Sequence, residues 1–128
     1  MPRLEQFCLR AAGISGLLAI CFGAFGAHGL QHMTASLPPD RAAMLLDWLE
    51  TGARYQLLHA AALLALAGIA PRLTSAAAPW IARAIFFGSL IFSATLYAMA
   101  LGGPPWLGAV TPIGGVLMLL GWGLLLFA

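Results

Sequence analysis

Charge is what this sequence has least of. Only 8% of its 128 residues are Asp, Glu, Lys or Arg, against about 25% in an ordinary soluble domain. A chain that is 62% hydrophobic, with a mean hydropathy of +0.94, cannot cover its own surface with polar groups. That excludes a water-solvated globular fold. The cations are six in number, all Arg, and the net charge is +2. They form no basic stripe, so nucleic acid is not an expected partner. Cysteine is scarce as well. Cys8 and Cys21 stand thirteen residues apart in one apolar run, roughly 20 Å along a helix, so they cannot bridge each other.

The charges are missing in blocks, and the blocks are the lengths that membranes require. No Asp, Glu, Lys or Arg occurs from Ala11 to Pro39, and Ala11 to Leu30 alone is long enough to cross hydrocarbon. A second charge-free run, Tyr55 to Pro71, lies between Arg54 and Arg72. After Arg83 no charge appears in forty-five residues, and Gly102-Gly103-Pro104-Pro105 divides that stretch in two. The expectation is one all-α integral membrane domain over residues 1–128, a four-transmembrane-helix bundle with approximate spans 8–30, 52–70, 80–101 and 106–127. Trp80 and Trp106 are placed like interfacial anchors. Thr111-Pro112 predicts a kink or restart in the last helix.

The polar stretch His32 to Gly52 joins the first two spans, with Leu37-Pro38-Pro39-Asp40 as a helix start. Asp47, Glu50 and Arg54 fall on one face beyond it, so a short amphipathic segment lies at the interface or extends the second helix outward. The basic N-terminal end followed by Ala24-Phe25-Gly26-Ala27 resembles a cleavable signal peptide. The long apolar run and the three spans after it predict a retained helix instead. Arg3, Arg10, Arg72 and Arg83 fall on one side against Arg41 and Arg54 on the other. Four against two predicts both termini in the cytoplasm of a bacterial inner membrane.

Small residues mark where helices approach closely: Ala19, Gly23 and Ala27 in the first span, and Gly114, Gly115, Gly121 and Gly123 in the last. Polar residues inside lipid say more, since each is costly without a partner. The candidates are His28 in the first helix, Glu50, Arg54, Tyr55, Gln56 and His59 in or beside the second, and Ser93 and Tyr97 in the third. Counting from the outer helix ends puts His59 level with Ser93, and gathers the whole set in one half of the bilayer. Arg54 reads as a partner of Glu50 one turn earlier. Gln56 and His59, three residues apart, read as one side of an interhelical hydrogen-bonded group with Ser93 or Tyr97.

No catalytic residue is expected. No Gly-x-Ser-x-Gly elbow is present, and no acid within the spans could orient a base. A proton path through His28, Arg54 and His59, the alternative of a small transporter or proton-conducting bundle, lacks a titrating acid partner. Haem or metal held by His28 and His59 lacks the ligand spacing of a metal site. No cofactor is expected. The expectation is a non-enzymatic accessory or scaffold protein whose polar cluster holds the bundle together or receives a lipid or small apolar ligand, with the lipid bilayer and another membrane protein or a second copy of the chain as partners.

Gly23-Ala24-Phe25-Gly26-Ala27-His28-Gly29-Leu30, then Trp48, Thr51-Gly52, Arg54-Tyr55-Gln56 and His59-Ala60, together resemble the small membrane family known as domain of unknown function 423 (DUF423). The likeness continues through Phe92-Ser93, Leu96-Tyr97 and Thr111-Pro112-Ile113-Gly114-Gly115, and so covers nearly the whole chain. Ala94 departs from the pattern, which commonly has glycine there. The resemblance implies about four spans in a bacterial plasma membrane. It implies no reaction, substrate or cofactor.

Overall fold

In hydrocarbon every backbone N–H and C=O must be paired within the chain, and an uninterrupted helix does this locally. The computed structural model describes residues 2–128, and among them the secondary structure is helical throughout. Four helices are long and apolar enough to cross a membrane. They are α1 (Pro2–Phe25), α2 (Pro39–Ile69), α3 (Ala78–Ala100) and α4 (Leu107–Leu125).

α1 does not stop at Phe25 but runs on through a π-helical turn, Gly26–Leu30, and a final α-turn, Gln31–Met33. A π-turn inserts one extra residue and rotates everything after it. Here it turns Gly26 and Leu30 inward while His28 stays exposed. Thr34 closes the helix by donating its hydroxyl to the Leu30 carbonyl at 2.8 Å. α2 begins with Pro38 extended (φ −53°, ψ 140°), Pro39 in the first turn and Asp40 beside the N-terminal dipole. The amphipathic stretch is therefore the outward extension of α2, continuous with its span.

The end of α3 is a Schellman motif. Gly103 N–H bonds the Ala98 carbonyl at 2.7 Å and Gly102 N–H the Met99 carbonyl at 3.2 Å, and this needs the left-handed φ of +93° that Gly102 adopts. Pro104 and Pro105 then prevent continuation. α4 is one helix with Pro112 inside it; the Gly108 carbonyl loses its usual donor there.

α1 packs on α2, α2 on α3 and α3 on α4, with α1 also touching α3. α4 thus sits outside a three-helix core and leaves most of its apolar surface for lipid, including Leu119 and Leu120. At the end nearest the N-terminus the core is Leu4, Cys8 and Ala11 of α1, Leu63 and Leu66 of α2, and Ile81 and Ile85 of α3. At the other end Leu30, Leu49, Tyr97 and Ala100 form a second cluster.

The closest helix contact joins α3 to α4 backbone to backbone. A Cβ on Gly114 would lie 2.6 Å from the Gly88 carbonyl oxygen, and one on Gly88 would lie 2.7 Å from the Met118 nitrogen. A Cβ on Gly121 would meet Ile85, 2.7 Å from its side-chain Cγ1 and 3.2 Å from its nitrogen. Gly115 and Gly123 face open space. In α1, Ala19 is buried and Gly23 has room for ordinary contact with Ala53 at 3.8 Å. Ala27 is exposed because the π-turn takes it off the face that the four-residue spacing implies. Gly26 takes the inward place, against Leu49.

Candidate functional site

A chain of polar contacts runs through the middle of the bundle. At Gly52 the absence of a side chain brings α2 close to α3, and the Ser93 hydroxyl donates to the Gly52 carbonyl at 2.7 Å. One turn deeper, the Tyr97 hydroxyl donates to Gln56 Oε1 at 2.7 Å. The Tyr97 ring crosses Gly52 to get there, since a Cβ on Gly52 would lie 2.8 Å from ring carbon Cε1. Its face is stacked on Phe22 of α1, with centroids 4.0 Å apart. Three helices therefore meet around one tyrosine.

His59 lies a further turn along α2 and looks toward α4. Trp122 Nε1–H can only donate, so His59 Nε2, 3.1 Å away, must be the acceptor. The proton is then on Nδ1, which donates to the Tyr55 carbonyl at 2.7 Å. The geometry fixes a neutral ring in one tautomer with both nitrogens engaged. A satellite pair, Thr95 and Thr111, joins α3 to α4 at 2.8 Å, and Thr111 also donates to the Leu107 carbonyl.

Other candidates lie apart from this chain. Arg54 bonds Glu50 at 2.9 Å with the two side chains 60% and 72% exposed. The pair is a solvated i, i+4 bridge on the extension of α2, worth only a few tenths of a kcal/mol. Tyr55 contributes its carbonyl to His59, while its ring lies against Phe92. His28 is exposed on the π-turn, so His28, Arg54 and His59 do not meet. Ser93 is not level with His59 either; its partner, Gly52, is seven residues away from His59 along α2, roughly 10 Å.

Among the described residues, two buried side-chain groups remain unpaired. Ser15 Oγ and Gln56 Nε2 are buried without a hydrogen-bond partner. Gln56 also lines an apolar groove of about 340 Å³ between α1 and α3. Sequence reasoning passed over Trp122, Gly52 as a backbone acceptor, the Phe22 stack and the Thr95–Thr111 pair. A tryptophan near the end of a span reads as an anchor, and a carbonyl has no sequence signature.

Four apolar helices joined by an internal polar chain define an α-helical, multi-pass integral membrane protein. The chain belongs to the DUF423 family, described as a protein of unknown function, whose sequence model matches residues 22–115. That stretch holds the π-turn and every residue of the polar chain except Trp122. A UPF0382 membrane protein of Staphylococcus saprophyticus is 40% identical over 109 residues, covering 85% of this chain and 84% of the relative. The UPF0382 inner membrane protein YgdD of Escherichia coli K12 is 37% identical over 122 residues, covering 95% and 88%. A UPF0382 membrane protein of Haemophilus influenzae is 37% identical over 118 residues, covering 89% and 86%. No solved structure matches the chain.

Proposed function

We propose that the chain is a non-enzymatic accessory or scaffold protein of the bacterial inner membrane, with both termini in the cytoplasm, that works through contacts made inside the bilayer. The observation that carries this reading is His59 held between the Tyr55 carbonyl and Trp122. The buried histidine of the spans, the residue type best suited to proton transfer or ligation, has both nitrogens engaged, so its role is to hold α4 on the bundle. Ser93 likewise gives its hydroxyl to a carbonyl and has no base beside it.

The helices are joined by short connections, 34–38, 73–77 and 101–106, too small for a soluble docking or catalytic module. A partner is therefore met in the membrane, where α4 offers Ile113, Val116, Leu119 and Leu120 to its surroundings. The inner-membrane location is supported by the name of the Escherichia coli relative.

The test places a photoreactive phenylalanine analogue at Leu119 in cells. A discrete protein adduct, either a second copy or one other membrane protein, is expected. Adducts to lipid alone would overturn the proposal, as would ion flux in proteoliposomes of the purified chain that disappears in His59→Ala.

A further inference from the structure

We propose that the N-terminal end of the bundle binds one anionic phospholipid, its phosphate held by Arg3 and Arg10 of α1 and Arg83 of α3. The site lies at the opposite end from Tyr97 and does not depend on the accessory role. Arg3, Phe7, Arg10 and Ile14 recur at i, i+4, i+7 and i+11, so they share one face of α1. Phe7 meets Phe86 of α3 edge to face, with ring centroids 5.9 Å apart. That contact brings Arg83, one turn outward from Phe86, to the same cavity as Arg3, a space of about 130 Å³. A neighbouring groove of about 330 Å³ shares Arg3 and Phe7 and runs past Arg10 to Ile14 and Phe86.

The three cations are free to meet an anion. All three residues are exposed, and among the described residues the one ion pair is Arg54 with Glu50, at the other end. Glu5, the only acid before Asp40, is two residues from Arg3, roughly 200° round the helix and away from this face. The Arg83 guanidinium lies over the rings of Phe7, at 5.8 Å, and Trp80, at 5.5 Å. Aromatic contacts of this kind hold the charge in place without consuming its N–H groups.

The shape of the site selects a lipid over a free anion. From Arg3 to Ile14 the groove runs eleven residues, roughly 16 Å along α1, and passes from cationic at its outer end to apolar at its inner end. A soluble phosphate would use only the first half. Arg83 also heads a second apolar groove, of about 410 Å³, formed on its other side with Phe87 of α3 and Leu117 and Leu124 of α4. A phosphate at Arg83 therefore has an apolar channel on each side of α3, one for each chain of a diacyl lipid. Charge selects the head group. Among the described residues no carboxylate lines these cavities, so a zwitterionic lipid would set its ammonium among guanidinium groups with nothing to balance it, whereas phosphatidylglycerol brings no cation.

The probe is dioctanoyl phosphatidylglycerol, titrated into the full-length chain in a mild neutral detergent and counted by native mass spectrometry. One lipid per chain is expected, bound more tightly than dioctanoyl phosphatidylcholine and not displaced by glycerol 1-phosphate. Arg3→Gln, Arg10→Gln and Arg83→Gln should each weaken it roughly fivefold. Arg72 is exposed at the same end but lines none of the three cavities, so Arg72→Gln makes the same change in net charge and should bind as the parent does. Ile14→Trp narrows the inner groove from the lipid side without touching an arginine, and should also weaken binding. The proposal is overturned by equal affinity for the two lipids, by binding unchanged in Arg83→Gln or in Ile14→Trp, or by an equal loss in Arg72→Gln, which would mean surface charge alone. Displacement by glycerol 1-phosphate would overturn it as well, leaving a site for free anions.

Discussion

Trp122 on α4 and His59 on α2 are bonded across 3.1 Å, although the two helices make little other contact: α4 packs on α3. One hydrogen bond thus reaches past α3 to fix the rotation of the outermost helix. Trp122→Phe keeps an aromatic ring, though a smaller one, and deletes the donor. The expected cost is about 1 kcal/mol, the upper range for interhelical hydrogen bonds in membranes, read by reversible unfolding in mixed detergent micelles. Nitrogen NMR of His59 should show the Nδ1-protonated form in the parent chain and a tautomer mixture in the variant. An unchanged spectrum would mean that Trp122 does not set the tautomer.

Gly52→Ala should cost more than Ser93→Ala. The added methyl would meet Tyr97 Cε1 at 2.8 Å and the Ser93 carbonyl oxygen at 3.3 Å. The ring has little freedom to retreat, being stacked on Phe22 and bonded to Gln56. Overpacking of this kind costs about 1–3 kcal/mol, whereas Ser93→Ala removes one hydrogen bond worth roughly 0.6 kcal/mol. Unfolding midpoints in the reverse order would show that the α2–α3 contact yields more readily than its geometry implies.

Gly114→Ala and Gly115→Ala form a paired test of the α3–α4 contact. At Gly114 the new Cβ would be 2.5 Å from the Phe92 nitrogen and 2.6 Å from the Gly88 oxygen, both backbone atoms that can move only if the helices separate. Gly115 has nothing within 4 Å. The first substitution should cost about 2 kcal/mol or more and the second close to nothing, or give a slight gain from lower backbone entropy. Equal midpoints for the two variants would contradict the close approach.

The four helices were legible because lipid imposes a rule on every residue of a span: charge is excluded over about twenty positions, and the sequence keeps that rule four times. The start of α2 at Pro39 was legible for a local reason, the Pro-Pro-Asp signal. Ala27 was misjudged because four-residue spacing assumes 3.6 residues per turn, and the π-turn at Gly26–Leu30 breaks that phase. The polar residues drew notice because each is costly in lipid, and two pairings were legible, Arg54 with Glu50 and Gln56 with Tyr97; the partners of Ser93 and His59 were not. Ser93 pairs with a carbonyl, and His59 with the indole of a distant helix. Depth counted from helix ends erred for Ser93 because the register of α2 on α3 is fixed at Gly52, where the backbones come closest, and not at the loop.

The way the chain is threaded through the membrane rests on arginine. The fold brings Arg3 to the same end as Arg83, whose guanidinium lies 5.8 Å from the Phe7 ring and 5.5 Å from Trp80. Arg10 and Arg72 belong to that end too, and Arg41 and Arg54 to the other. With four Arg against two, the positive-inside tendency predicts that the N-terminus, the 73–77 connection and the C-terminus face the cytoplasm. Ser36 lies exposed between α1 and α2, so Ser36→Cys, made together with Cys8→Ala and Cys21→Ala, should react with a membrane-impermeant maleimide on intact spheroplasts. Thr74→Cys in the same background, also exposed, should react only after the membrane is opened. The opposite pattern would invert the topology and remove the arginine count as its cause.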